Sequence, residues 1–211
     1  MTPGRVTAAV TNLVVPAPGL PIQIQRTYDS LLRSQSGDFG FGWNLGIKMD
    51  VQTSPTHDVT LTINGQRRTF YFTPAGSGIF VNYYLPQYTA EPGLFGSLTS
   101  TGDNCTGVLL NVGGQYECAI SNPGQAYQAS GYTYTDPYGR VYTIGPDGAL
   151  QSLKDLNGNT LTVTANGITS SNGLSVPFVR DGQGRITKIT AQITRHGSSC
   201  LLRFPGYVRG N

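Results

Sequence analysis

The sequence predicts an all-β chain of antiparallel hairpins with very little helix, on three observations. First, its 211 residues include 28 Gly and 13 Pro, while only 12% are charged, about half the roughly 25% usual in soluble domains. Second, short runs alternate apolar and polar residues, the period of a half-buried strand. Third, no stretch of eleven or more residues carries helical periodicity. A turn-rich, uncharged polar chain of this kind suits many short strands and disfavours helical bundles.

Taken in order, the strand runs are RVTAAVTNLVV, LPIQIQRTY, LGIKMDVQT, DVTLTINGQRRTFYF, GVLLNV, YTYTD, RVYTI, TLTVT and RITKIT. Between them INGQ, PAGSG, NVGGQ, DPYGR, GPDGA and LNGN supply turn chemistry. Residues 86 to 104 and 119 to 131, rich in Pro, Gly, Ser and Gln, read as long irregular connections.

The second half repeats. DPYGRVYTI from Asp136, DLNGNTLTV from Asp155 and DGQGRITKI from Asp181 share Asp, two free positions, Gly, a long polar residue and a strand. PDGALQSL reads as a degenerate half-copy between the first two. In Asp-Pro-Tyr-Gly each residue stands where a type I turn wants it: an acceptor first, a preset φ second, a residue free to take positive φ last. Asp136, Gly139, Asp155, Gly158, Asp181 and Gly184 are therefore expected to hold turns. A stretch such as DGQGRITKIT is no phosphate loop, because a strand follows the glycines rather than a GK[ST] ending that opens a helix. It is no calcium loop in the DLNGNT copy either, where Thr160 and Asn166 stand at the positions that need Gly and Glu.

Cys105 and Cys118 bracket a strand-turn-strand pattern centred on Gly113 and Gly114, which offers a disulfide across a hairpin; two reduced, half-buried thiols are the alternative. A bridge would imply an oxidising compartment, with Cys200 as the odd thiol. The spacing offers no zinc site, and no metal or cofactor is expected. The formal charge is +3. Its basic C-terminal end, Arg180 to Arg209, has no run of five like charges, so nucleic acid is not an expected partner. No signal peptide is visible and no window of 18 apolar residues offers a membrane span.

Catalysis would need a nucleophile or base with partners in reach. His57 lies beside Asp58 in a turn-like SPTHDVT, His196 lies among Ser198, Ser199 and Cys200, and no G-x-S-x-G or H-E-x-x-H occurs. No catalytic residue is assigned, and the chain is read as non-enzymatic. With 12 Tyr and 8 Phe, densest in IFVNYYLPQY, the rival reading is a carbohydrate-binding or surface-adhesion module that stacks sugars on rings.

The opening segment carries the most specific signal. RTYDS, with Arg26, Tyr28 and Asp29, is followed by GDFGFGWN, with Gly40, Gly42 and Trp43. Trp43 among Phe39, Phe41 and glycines suits a cover over a sheet end, with an exposed sugar platform as the alternative. Together with the D-x-x-G-R turn-strand repeats, this pairing resembles the Rhs or YD-repeat family over roughly residues 4 to 50 and 132 to 190. The Tyr-Asp pair that names the family stands only at Tyr28 and Asp29, since Thr135, Lys154 and Arg180 precede the repeat aspartates.

The resemblance implies a curved sheet that spirals into a hollow shell closed around a C-terminal cargo or toxin. With the residue pattern it gives an expected division into four parts: an Rhs-like opening segment at 1–50, a β-rich insert with long loops at 51–131, degenerate YD-like repeats at 132–190 and a tail of unclear structure at 191–211. Expected partners are the rest of the shell and its cargo, with glycans as an alternative and self-association through strand edges. The implied setting is bacterial, secreted or at the cell surface.

Overall fold

The computed structural model describes residues 5–47, 49–63, 66–77, 82–193 and 198–203, and among them there is no α-helix. The chain is all-β and its sheets are antiparallel. It divides into two compact units, one formed by Met1–Lys48 with Asp155–Asn211 and the other by Met49–Lys154. No helix of the described residues is long and apolar enough to cross a membrane.

The first unit opens with a two-stranded ribbon, β1 (Thr7–Val15) against β2 (Ile22–Asp29). A bulge between Thr11 and Leu13 leaves Asn12 unpaired, and an extra residue of this kind resets the alternation of a strand. Leu13 and Val15 consequently face inward with Ile22 and Ile24. The Asp29 carboxylate caps one 3-10 turn, Ser30–Leu32, by accepting the Leu31 N–H. Short strands β3 (Ser36–Gly37), β4 (Gly40–Phe41) and β5 (Trp43–Leu45) follow, and β5 joins the far side of β2.

The second unit runs through β6 (Asp50–Thr53), β7 (Val59–Ile63), β8 (Gln66–Phe72), β9 (Ala75–Ser77), β10 (Tyr83–Leu85) and β11 (Tyr88–Ala90). It continues with β12 (Ser97–Asp103), β13 (Leu109–Val112), β14 (Gln115–Cys118), β15 (Ala129–Thr135), β16 (Val141–Ile144) and β17 (Leu150–Lys154). These strands form ladders in the orders β11-β8-β7-β6, β14-β13-β10-β9 and β12-β15-β16-β17. Val59, Leu61, Phe70, Leu98, Leu109, Tyr134 and Ile144 fill the core. Around Phe72 stand Tyr88, Tyr116, Tyr127 and His57, with ring centroids 5.0 to 5.5 Å away. Cys105 and Cys118 are fully buried and joined as a disulfide that closes the β13–β14 hairpin.

Two expectations are corrected here. The span 86 to 104 is not irregular: it holds β11 and β12. Strand β12, Ser-Leu-Thr-Ser-Thr-Gly-Asp, has one apolar anchor in Leu98 and owes its conformation to the ladder with β15, so local alternation could not announce it. PAGSG is not a bare turn either, because Ala75–Ser77 pair with β10.

The chain then re-enters the first unit as β18 (Thr160–Thr164), β19 (Gly167–Ser170), β20 (Ser175–Arg180), β21 (Ile186–Ile193) and β22 (Ser198–Arg203). Leu161, Ile168, Val176, Phe178, Ile186 and Ile189 are its buried row. Strand β22 extends the sheet into the stretch read from sequence as a tail; residues 194–197, with His196, and 204–211 lie outside the described residues, as does the side chain of Cys200.

Candidate functional site

The three repeat turns are superimposable hydrogen-bond for hydrogen-bond. The Gly139 N–H donates to the Asp136 carbonyl at 3.0 Å and the Asp136 N–H to that of Arg140 at 2.9 Å. The corresponding distances are 3.1 and 3.0 Å at Asp155, and 2.9 and 2.9 Å at Asp181. This is a type I turn followed by a left-handed residue, with Gly139, Gly158 and Gly184 at φ of +73, +85 and +78°. One carboxylate oxygen accepts the N–H groups of the third and fifth residues: Tyr138 and Arg140, Asn157 and Asn159, Gln183 and Arg185. The other oxygen takes the side chain of the fifth residue, at 2.8 Å from Arg140 Nε, Asn159 Nδ2 and Arg185 Nε alike. The long polar residue of the repeat therefore closes the turn it follows.

The same backbone turn recurs at three further places, one of them in the PDGALQSL half-copy. It forms at Gly145 with Gly148, at Ser170 with Gly173, and at Ser54 with His57, each closed by the same pair of main-chain bonds. Ser54 and Ser170 replace the aspartate with a hydroxyl, and His57 occupies the left-handed position at φ +67°. A Ser-x-x-Gly reading of SSNG would have found Ser170, since serine makes a weaker version of the same turn. The turn was legible in SPTHDVT, but not that His57 takes its left-handed position, since only a few per cent of non-glycine residues adopt positive φ.

Replacing the buried Asp136 by alanine strands the Tyr138 and Arg140 N–H groups and is expected to cost about 1–2 kcal/mol, the upper part of the range for a lost cap. Asp136→Asn keeps the acceptor oxygen and is expected to cost less. Urea midpoints of the two variants decide this, and equal losses would count against the two amide bonds, which asparagine retains.

Electrostatics give a bounded plateau of stability. Burial alone raises the Asp136 carboxyl, but the Arg140 and Tyr138 N–H groups and the Arg140 guanidinium bring it net below its ordinary 3.8. The Asn159 amide and the Arg185 guanidinium lower Asp155 and Asp181, and Arg5 lowers Asp29. Burial pushes His57 below 6.5, opposed by Asp58, and pushes the phenols of Tyr88, Tyr127, Tyr134 and Tyr142 above 10.0. Groups depressed in the fold stabilise it above their unfolded values and stop doing so as pH falls. Raised phenols act in reverse, so stability is lost as pH climbs past their unfolded value. Melting temperature is thus expected to be level between pH about 7 and about 9.5, to fall below about 6.5 and again near 4, and to fall above about 10. A maximum at pH 5 would contradict the placement of His57.

The opening motif is a clamp around Arg26. Its guanidinium lies 5.6 Å from the Phe39 ring and 5.4 Å from that of Trp43, while Nε donates to the Asn12 amide oxygen at 2.7 Å. The bulge residue is thereby spent on aiming Arg26. Tyr28 stands opposite Trp43 across the β2–β5 ladder, with rings 5.3 Å apart. Gly42, at φ +74°, could not become alanine without placing a Cβ 2.8 Å from the Tyr28 ring. Asp29 receives two Arg5 nitrogens at 2.6 and 3.1 Å, and its N–H reaches the Gly42 carbonyl. Trp43 is half-buried, with ring contacts to both Arg26 and Tyr28.

Asp38 ties this clamp to the third repeat turn. Its carboxylate accepts the Leu45 N–H at 3.1 Å and Arg180 Nη1 at 2.9 Å, and its carbonyl accepts the Ile186 N–H at 2.6 Å. Arg180 stands immediately before Asp181, the first residue of the third turn. A polar cleft of about 290 Å³ opens beside the tie, lined by Ser36, Gly37, Asp38, Asn44, Gln183 and Gly184. Sequence reading missed Asp38 and Arg180 because 142 positions separate them. Reversing one charge, Asp38→Arg, is expected to loosen the tie by about 1 kcal/mol or more, and Arg180→Asp in the same chain to restore part of it. A double-mutant cycle that shows no coupling would remove the ion pair from the account.

An all-β ladder of hairpins with a repeated Asp-x-x-Gly turn and an aromatic clamp is therefore the class of protein the residues define. A family model described as a domain of unknown function, DUF6531, matches residues 1–72, the stretch from the clamp to the end of β8. No curated protein matches the chain.

Proposed function

We propose that this chain is a non-enzymatic strip of wall from an Rhs or YD-repeat β-shell, which in the full-length protein encloses a C-terminal cargo or toxin. The observation that carries the reading is the identical turn at Asp136, Asp155 and Asp181, with a carboxylate holding two amides and one side chain at each. A module closed within five residues can recur along a wall, because each copy needs nothing outside itself to set its hairpin. The Arg26–Trp43 clamp, tied to the third turn by Asp38, suits the place where such a wall begins. The Cys105–Cys118 bridge favours an oxidising, secreted or surface setting.

The adhesion reading has less behind it. In the densest aromatic stretch the Tyr84 ring packs on Tyr116, and that of Tyr88 packs on Phe72 and Tyr132, which leaves those faces unavailable for sugar stacking.

The intact mass of the native polypeptide that carries this segment tests the proposal. A chain several times 22.5 kDa is the expected result. A mature chain of about that mass would overturn the wall reading and turn the search to glycan binding.

A further inference from the structure

Among the described residues, three buried side-chain atoms have no hydrogen-bond partner: Arg68 Nη1 and the hydroxyls of Tyr127 and Tyr134. Two of the three belong to side chains in contact at one end of the core of the second unit. The central carbon of the Arg68 guanidinium lies 5.8 Å from the centre of the Tyr134 ring. Buried polar groups are almost always satisfied, and one left without a partner costs free energy.

Arg68 faces inward. On β8 it stands two residues from the fully buried Phe70, on the same face, and directly opposite the fully buried Leu61 of β7. Its Nη2 donates to a neutral group, the Gln66 amide oxygen, at 3.1 Å. No carboxylate of the described residues pairs with it. Asp136 is committed to Arg140 and to the amides of its own turn, and Glu91 accepts the Thr69 N–H. The residues of this unit outside the described ones, 64–65 and 78–81, include no Asp or Glu. Tyr134, at 1% exposure, is fixed by the rings of Phe70 and Tyr142 at 5.8 and 5.6 Å, so its hydroxyl cannot turn out to water. Gly96 passes beside that hydroxyl: a Cβ there would stand 3.4 Å from it, and the lack of a side chain keeps this flank open.

We propose that Arg68 and Tyr134 form a binding site for a carboxylate, one oxygen accepting from Arg68 Nη1 and the other from the Tyr134 hydroxyl. Arginine can only donate, so a group that serves both atoms must be an acceptor. Water would satisfy the bonds but leave the guanidinium without a counter-ion. A single cation is uncompensated, in a unit that holds four Lys and Arg against seven Asp and Glu, so a univalent anion matches it and a divalent one does not. Planar carboxylates suit the edge of a guanidinium. Arg68 as a whole is half-buried, and its long stem can lift from the ring to admit the ligand. The carboxylate comes from a free small acid or from an acidic side chain of a polypeptide. The inference rests on the second unit alone and stands or falls independently of the wall reading.

Melting of the whole chain in acetate tests it, beside chloride at equal ionic strength and neutral acetamide. Acetate at about 0.1 M is expected to raise the melting temperature by about 2–4 °C over chloride, with saturation, and acetamide is expected to have no effect. Tyr134→Phe, which removes one hydroxyl and keeps the ring, is expected to fold as the wild type by near-UV circular dichroism and to lose the acetate shift. Should it fail to fold, Arg68→Met, which keeps a side chain over the ring without the charge, is expected to show the same loss. A blocked Gly-Glu-Gly peptide beside its Gln counterpart separates the two sources. A shift with the Glu peptide assigns the site to polypeptide carboxylates, and a shift with acetate alone assigns it to free acids. Equal melting temperatures in acetate and chloride would overturn the proposal. So would an undiminished acetate shift in the folded variant, which would make the shift a general effect of the salt.

Discussion

Phe70→Ala is expected to lower the stability of the protein by about 3–5 kcal/mol, the usual loss when a buried phenyl ring is emptied from a core. Phe70 is fully buried on β8, stands opposite Val59 and Ala90 on the neighbouring strands, and meets the edge of Tyr134 at 5.8 Å. Removing the ring forfeits its transfer from water, its contacts and the aromatic pair together. Against a total of about 5–15 kcal/mol for an ordinary domain, the second unit would be left marginal or unfolded at 37 °C. The adjacent Tyr71 is 44% exposed and serves as the internal control, since Tyr71→Ala is expected to cost under about 1 kcal/mol. Urea denaturation followed by near-UV circular dichroism reads both. Equal losses would mean that the inward face of β8 has been misassigned.

Replacing Cys105 and Cys118 together by serine is expected to cost about 3 kcal/mol. The two residues are 13 apart in sequence, and releasing a loop of that length restores roughly this much freedom to the unfolded chain. The loss falls on a hairpin that has little else to hold it, since β13 and β14 make only short ladders with their neighbours. Asn104, next to the bridge, also anchors the following connection, through bonds to Asn122, Ala126 and Gln128. Opening the bridge is therefore expected to increase proteolysis between residues 119 and 128 first. Melting temperatures with and without reductant, compared with the serine variant, check the assignment; a reductant-insensitive wild type would show that the bridge does not form in the protein.

What was readable in the chain and what was not divides by distance along the backbone. Asp136, Gly139, Asp155, Gly158, Asp181 and Gly184 stand in the turns where their residue types placed them, because every bond of such a turn lies within five residues. The copy at Gly145 was legible as the PDGALQSL half-copy, whereas that at Ser170 keeps the left-handed glycine but has serine for the aspartate, so the most visible letter is missing. Strand β12 escaped for a different reason: its Ser, Thr and Gly have no apolar rhythm, and β15 confers its extended form.

The site shows the same division. Arg26, Tyr28, Asp29, Gly40, Gly42 and Trp43 were legible as a cluster of unusual residues, yet the cation held between two rings depends on the bulge at Asn12, and a bulge leaves no mark in a single sequence. Asp38 and Arg180 were ordinary charged residues until the fold set one beside the other.

By itself, then, the sequence determined the all-β class, the turn-strand repeat and the positions of its turns, since period-two alternation and Asp-x-x-Gly chemistry act through neighbours in the chain. Tertiary structure alone decided the clamp's tie to the third turn and the strand conformation of β12. Each of these depends on register between strands distant in sequence, and register follows from which apolar faces are buried together and where a bulge shifts them.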